Sequence, residues 1–146
     1  MAALDVALGL AQAEHAGMRI CYVFEPVMVA GTAPPGPALD ILLADKANTA
    51  QIVVRYAIAK ARTAGLDVDG EVLRGVPFDE ILQYAAHEGA DAIVMGTHGR
   101  SGVRRFVMGS VAEYVVRNAP CPVIVVHEEH IGKKLEPTRK FAEVAT

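Results

Sequence analysis

The chain predicts an α/β fold, an open parallel sheet with helices on both faces. Three observations carry that expectation. Short apolar runs rich in β-branched residues alternate with longer stretches in which apolar residues recur every three or four positions. The resulting order is α, β, α, β, α, β, α, β, and strands separated by helices imply parallel pairing with right-handed crossovers. The 146 residues, 52% hydrophobic and 21% charged, are enough for one domain with a core of its own.

Residues 2–16 read as a helix with Leu4, Leu8 and Ala11 on one face and Gly17 as its stop. Arg19 to Phe24 (RICYVF) reads as a buried strand. Pro26 to Pro37, rich in proline and glycine, is a loop. A long helical stripe follows over 39–64, carried by Leu43, Ala47, Ala50, Val54, Ala57 and Ala61 and ended by Gly65. Leu66 to Leu73 alternates apolar and polar residues, the pattern of a half-exposed strand at or near a sheet edge. Pro77 and the acidic pair Asp79 and Glu80 suit the start of a third helix whose apolar face is Phe78, Ile81, Leu82, Ala85 and Ala86. Ala92 to Met95 is a fully apolar strand, Val111 to Asn118 a fourth helix and Val123 to Val126 a last strand. The domain is expected over 1–127, with a polar tail over 128–146.

Composition excludes several classes. A net charge of −3 gives no global attraction to nucleic acid or to an anionic membrane. The N-terminus lacks the basic-then-apolar order of a signal peptide, and no apolar run approaches the roughly 20 residues needed to span a bilayer. A soluble cytoplasmic protein is expected. Cys21 and Cys121 lie in apolar runs with no CxxC or Cys/His spacing, so buried reduced thiols are expected and not a zinc site or disulfide. His15, His87 and His127 show no ligand spacing, and no Ser/His/Asp or Cys/His set identifies a nucleophile. No dedicated catalysis is expected.

The chemistry concentrates in one loop. Residues 92–112 read AIVMGTHGRSGVRRFVMGSVA, a strand running into Gly96, Gly99, Gly102 and Gly109. Glycines let backbone approach a ligand closely, and successive free N–H groups form anion nests. No acid lies between Asp91 and Glu113, whereas His98, Arg100, Arg104 and Arg105 do. The loop ends at Ser110, expected as the N-cap of the fourth helix, where free N–H groups favour phosphate. Each feature has a plainer explanation: Ser110 with Glu113 fits a capping box, glycines serve turns, and basic loops are often only solvated. Their coincidence at the carboxyl end of a strand, where such sheets bind ligands, favours anion binding. The spacing is neither a Walker loop nor the dinucleotide fingerprint.

The spacing Gly96-x2-Gly99-x9-Gly109-Ser110 resembles the ATP-binding motif of the universal stress protein family. The flanks Asp91 to Arg100 and Ala119 to Val126 resemble it too, as does Gly75-x-Pro77 with Glu80-Ile81 at the third helix. The resemblance covers about residues 2–127. It implies a Rossmann-like fold in which the backbone of Gly99, Arg100, Ser101 and Gly102, with Gly109, Ser110 and Val111, holds phosphates. Gly96 and Thr97 would border the ribose, and the backbone near Val23 would face the adenine. ATP with Mg²⁺ or Mn²⁺ is the implied ligand, and a homodimer through Val123 to Val126 the implied assembly. Family members begin with an apolar strand and an Asp-Gly-Ser-like turn, central in a five-stranded sheet. This sequence enters its first helix almost at once, so that strand is expected to be missing from it, leaving its neighbours unpaired; a fragment or a start placed too late is favoured over a protein that lacks the strand and closes the gap by rearrangement or with a partner's segment.

Three functions stay open at this level. The leading one is an ATP-binding stress-response or signalling module that acts through conformation or dimerisation, with any hydrolysis slow and incidental. The second is a homodimeric interaction protein that works without nucleotide. The third is an ATP-using ligase or nucleotidyl transferase, which the absence of a second domain disfavours.

Overall fold

A computed structural model describes residues 2–26, 36–97 and 108–127. Four helices and four strands alternate: α1 (Ala2–Glu14), β1 (Met18–Phe24), α2 (Pro37–Thr63), β2 (Val68–Arg74), α3 (Pro77–Glu88), β3 (Ile93–Gly96), α4 (Ser110–Asn118) and β4 (Val123–Val126). This is the predicted order.

The helices form where the apolar period demands. On α2, Ala50, Val54, Ala57 and Ala61 are buried, at spacings of three and four that keep them on one stripe. Leu43 and Ala47 continue that stripe half-buried. Small side chains let this helix, about 40 Å long, lie close on β1 and β2. Leu8 of α1, Ala61 and Val68 form the centre of the core, with Leu4, Met18, Ile20, Ile58, Ala64 and Leu66 packed around them. Pro77 opens α3 where its missing N–H costs nothing, and Gly89 closes it in the left-handed conformation (φ 63°). Gly65 plays the same part after α2 (φ 78°). At the end of α1 the expectation shifts by two residues. His15, not Gly17, takes the positive φ (51°), and Ala16 N–H donates to Ala11 O at 2.9 Å.

All observed pairing is parallel, in two separate pairs. β1 pairs with β2 from Met18↔Val68 to Phe24↔Arg74, and β3 with β4 from Ile93↔Val123 to Gly96↔Val126. The two pairs are separate two-stranded sheets. β3 is half-buried throughout, less enclosed than its fully apolar sequence suggests.

The register also fixes which backbone groups point where. Met18 N–H donates to Asp67 O (2.8 Å), and Phe24 O accepts from Gly75 N–H (3.2 Å). In a parallel ladder alternate residues bond to opposite sides. Residues 18, 20, 22 and 24 therefore bond towards β2, and the backbone groups of Arg19, Cys21 and Val23 point the other way. Similarly Ile93 N–H donates to Pro122 O (2.9 Å) and Thr97 N–H to Val126 O (3.1 Å), which leaves Val94 and Gly96 directed away from β4.

Helices cover both faces. α1 and α2 share the Leu8–Ala61–Val68 core on one side. On the other, α3 packs on β1 and against α4, with the rings of Phe78 and Tyr114 4.2 Å apart at 36°. Arg19 Nε donates to Glu88 Oε2 at 2.9 Å and fastens β1 to α3. Lys60 of α2 pairs with Asp5 of α1. No helix among the described residues is long and apolar enough to cross a membrane.

Candidate functional site

The glycine loop leaves the carboxyl end of β3 and returns into the first turn of α4. Both of its roots are fixed. Gly96 closes the β3–β4 ladder opposite Val126. Thr97 is 4% exposed; its N–H donates to Val126 O, and its own carbonyl accepts from Gly109 N–H at 2.9 Å. That last bond clamps the start of the loop to its end. The clamp leaves no mark in residue type, so sequence reasoning missed it.

At the other root, α4 begins differently from the expectation. The N-cap is Gly109, with extended backbone (φ −66°, ψ 154°) and no side-chain cap. Ser110 is already helical and exposed, and Glu113 N–H donates to the carbonyl of Gly109 (3.0 Å). The capping box is also absent, since Glu113 pairs with Arg117 at 2.9 Å, one turn on. Ser110 is displaced from the cap because the Thr97 clamp holds Gly109 in extended form at the helix threshold. Consequently the N–H groups of Ser110, Val111 and Ala112 precede the first intrahelical bond and have no carbonyl within the helix. They sit at the positive end of the α4 dipole. Ser110→Ala is expected to change the urea-unfolding free energy by less than about 0.5 kcal/mol, against the roughly 1 kcal/mol typical of a lost cap. A loss near the full capping value would restore Ser110 as a cap.

Of the residues singled out from the sequence, Gly96, Thr97, Gly109, Ser110 and Val111 are brought together here. Gly99, Arg100, Ser101 and Gly102 lie outside the described residues, as do the other loop cations and the tail over 128–146. Val23 is half-buried near the carboxyl end of β1, and its backbone N–H and C=O are among those that β2 does not use. It therefore has a donor and an acceptor one residue from the strand end that the β1–β2 ladder does not use. Among the described residues no group of three or more His, Cys, Asp or Glu side chains could hold a metal ion. Cys21 and Cys121 are free thiols, half-buried.

Comparison with known proteins places this arrangement. The profile of the universal stress protein family matches residues 1–127. A universal stress protein of Methanocaldococcus jannaschii is 52% identical over 62 residues, 42% of this chain and 36% of the relative. One of Staphylococcus aureus is 43% identical over 79 residues, 53% of this chain and 48% of the relative. The chain thus matches about half or less of the length of these curated relatives. Among solved structures, UspA of Lactobacillus plantarum superposes with a TM-score of 0.68 at 30% identity, covering 86% of this chain and 87% of that one. A universal stress protein solved in complex with cAMP superposes at 0.58 with 26% identity, covering 86% and 84%.

Proposed function

We propose that this chain, which belongs to the universal stress protein family, binds an adenine nucleotide such as ATP at the carboxyl ends of β1 and β3. The single observation that carries the reading is the clamped loop root, Thr97 O to Gly109 N–H, beside the first-turn amides of α4 that precede its first intrahelical bond. That arrangement presents fixed N–H donors where phosphate is favoured. The sequence of the loop supplies glycines and cations and no acid. The solved relative that holds cAMP supports an adenine nucleotide as the ligand class.

In this reading the amides of Ser110 and Val111 meet phosphate, together with the backbone of Gly99, Arg100, Ser101 and Gly102 that the family motif assigns to it. Gly96 and Thr97 border the ribose, and the Val23 backbone meets the adenine edge. Mg²⁺ or Mn²⁺ would come with the nucleotide and offset the charge of its phosphates, since no cluster of three or more His, Cys, Asp or Glu among the described residues would hold it alone. The protein acts by occupancy, through conformation or a homodimer paired along Val123 to Val126, in the cytoplasm and without a dedicated reaction.

Isothermal titration of ATP with Mg²⁺ against the 146-residue chain tests this, with Gly99→Val as the paired variant. Binding by the parent and at least about tenfold weaker binding by Gly99→Val, at unchanged unfolding temperature, is the expected result, because a side chain there blocks backbone from phosphate. Equal binding by both would remove the loop from the site. No binding by the parent would favour the nucleotide-independent interaction protein.

A further inference from the structure

We propose that the outer face of α2 is a contact surface for a second copy of this chain, whose own α2 lies antiparallel across it. The starting point is an apolar stripe on the side of the helix turned away from the sheet. At about 3.6 residues per turn, Ile41, Asp45, Asn48, Ile52, Tyr56 and Ala59 fall on one stripe, opposite the buried stripe of Ala50, Val54, Ala57 and Ala61. The outer side of a surface helix is ordinarily polar. Here Ile41 is 69% exposed, Ile52 60% and Tyr56 55%. The helix also outreaches its support: among its described residues none before Ala50 is fully buried. The half that carries Ile41 therefore runs on past the core.

The charges on this face define the occupant. Asp45 lies on the stripe and Arg55 borders it, and both are exposed. Neither forms an ion pair among the described residues. Lys60, on the flank of the helix, is already engaged by Asp5 of α1. In a twofold contact one residue meets a second on the other copy, and the second meets the first in return. Asp45 and Arg55 are equally far in sequence from Ala50. A twofold axis level with Ala50 therefore brings Arg55 of each copy to the partner's Asp45, two opposite-charge pairs from one helix. The same register brings Ile52 to the partner's Asn48 and Ile41 to the partner's Ala59. Large side chains then meet smaller ones, as helix ridges fill grooves. Tyr56, beside Arg55, adds the aromatic surface that interfaces favour. A parallel pair in register would instead set like charges together, which is unfavourable. A partner of other sequence would have to carry the matching charges at the matching spacing, whereas a second copy has them by symmetry. One helix pair is a small interface, below about 1,200 Å² in total, so the association is weak and depends on concentration.

This contact is independent of nucleotide binding, and sedimentation equilibrium of the whole chain tests it. The variants are Asp45→Arg and Arg55→Asp, both at exposed positions outside the core. The parent is expected to self-associate. Each single reversal should weaken that association at least about tenfold, because like charges then face each other across the contact. An equimolar mixture of the two variants should associate as the parent does, since each copy supplies the charges the other has lost. The double variant Asp45→Arg/Arg55→Asp should recover too. A pair along Val123 to Val126 would be common to all these proteins, so the comparison reads the α2 contact alone. Equal association by the parent and both single variants would overturn the proposal. So would a weakening that neither the mixture nor the double variant repairs, or a parent with no association for the reversals to weaken.

Discussion

Gly70→Ala is expected to destabilise the fold by about 1–3 kcal/mol, the range for overpacking a filled site. Gly70 lies in the middle of β2, opposite Ile20 and beneath α2. A Cβ there would sit 2.9 Å from the Ile20 carbonyl oxygen, 3.0 Å from Val54 Cγ1 and 3.2 Å from Ile20 Cβ. Two of those neighbours belong to β1 at its ladder, and the third is a β-branched side chain buried in α2. None can yield without separating β1 from β2 or lifting α2 off the sheet. Alanine would gain up to about 1 kcal/mol from a less flexible unfolded chain, and the collision outweighs that gain. Gly75 provides the control. Its Cβ would lie closer still to a neighbour, but the atoms met all belong to the Glu80 side chain. That side chain can swing aside into solvent, so Gly75→Ala should cost less than Gly70→Ala despite the shorter distance. Urea unfolding of both variants decides the point, and the reverse order would mean that β2 shifts more easily than the packing implies.

That glycine illustrates what the sequence does and does not express. Element order was legible because apolar period is written directly in residue type: the α2 stripe from Leu43 to Ala61 and the alternation from Leu66 to Leu73 both map onto the faces they imply. The loop was legible as chemistry because glycines, cations and the lack of acids occur together between Asp91 and Glu113. Backbone-to-backbone ties were not legible. The Thr97–Gly109 clamp moves the N-cap from Ser110 to Gly109, and no side-chain preference announces it. The same holds for His15, which adopts the left-handed turn two residues before the glycine that looked suited to it. The division of the strands into two pairs follows from pairing partners, which local pattern does not encode.

Between pH 9 and 11 the protein is expected to lose roughly 2–3 kcal/mol of stability through Cys21 alone, at about 1.4 kcal/mol for each pH unit that separates its ionisation in the folded and unfolded chains. Burial between β1 and α3, and secondarily the nearby Glu71 carboxylate, push this thiol from 9.0 up to about 11. In the unfolded chain it ionises near the ordinary value. The folded state therefore holds a proton that the unfolded state has released, and unfolding becomes more favourable as pH rises. The contribution is complete below pH 9 and gone above pH 11. Tyr84, pushed up to about 12 chiefly by its own burial and then by Glu88 and Glu71, adds a loss of the same sign at higher pH. Lys60, raised by its bond to Asp5, does likewise, because its favourable charged form disappears on deprotonation. Lys60 is common to the parent and to Cys21→Ala, whereas Tyr84 is itself raised in small part by Cys21, so the difference between the proteins reports the thiol together with that coupling. Urea midpoints at pH 8 and pH 11 should fall further for the parent than for Cys21→Ala, even though the variant starts lower from its lost packing. Equal falls would mean that water reaches the Cys21 sulfur in the folded protein, and hence that the β1–α3 interface opens.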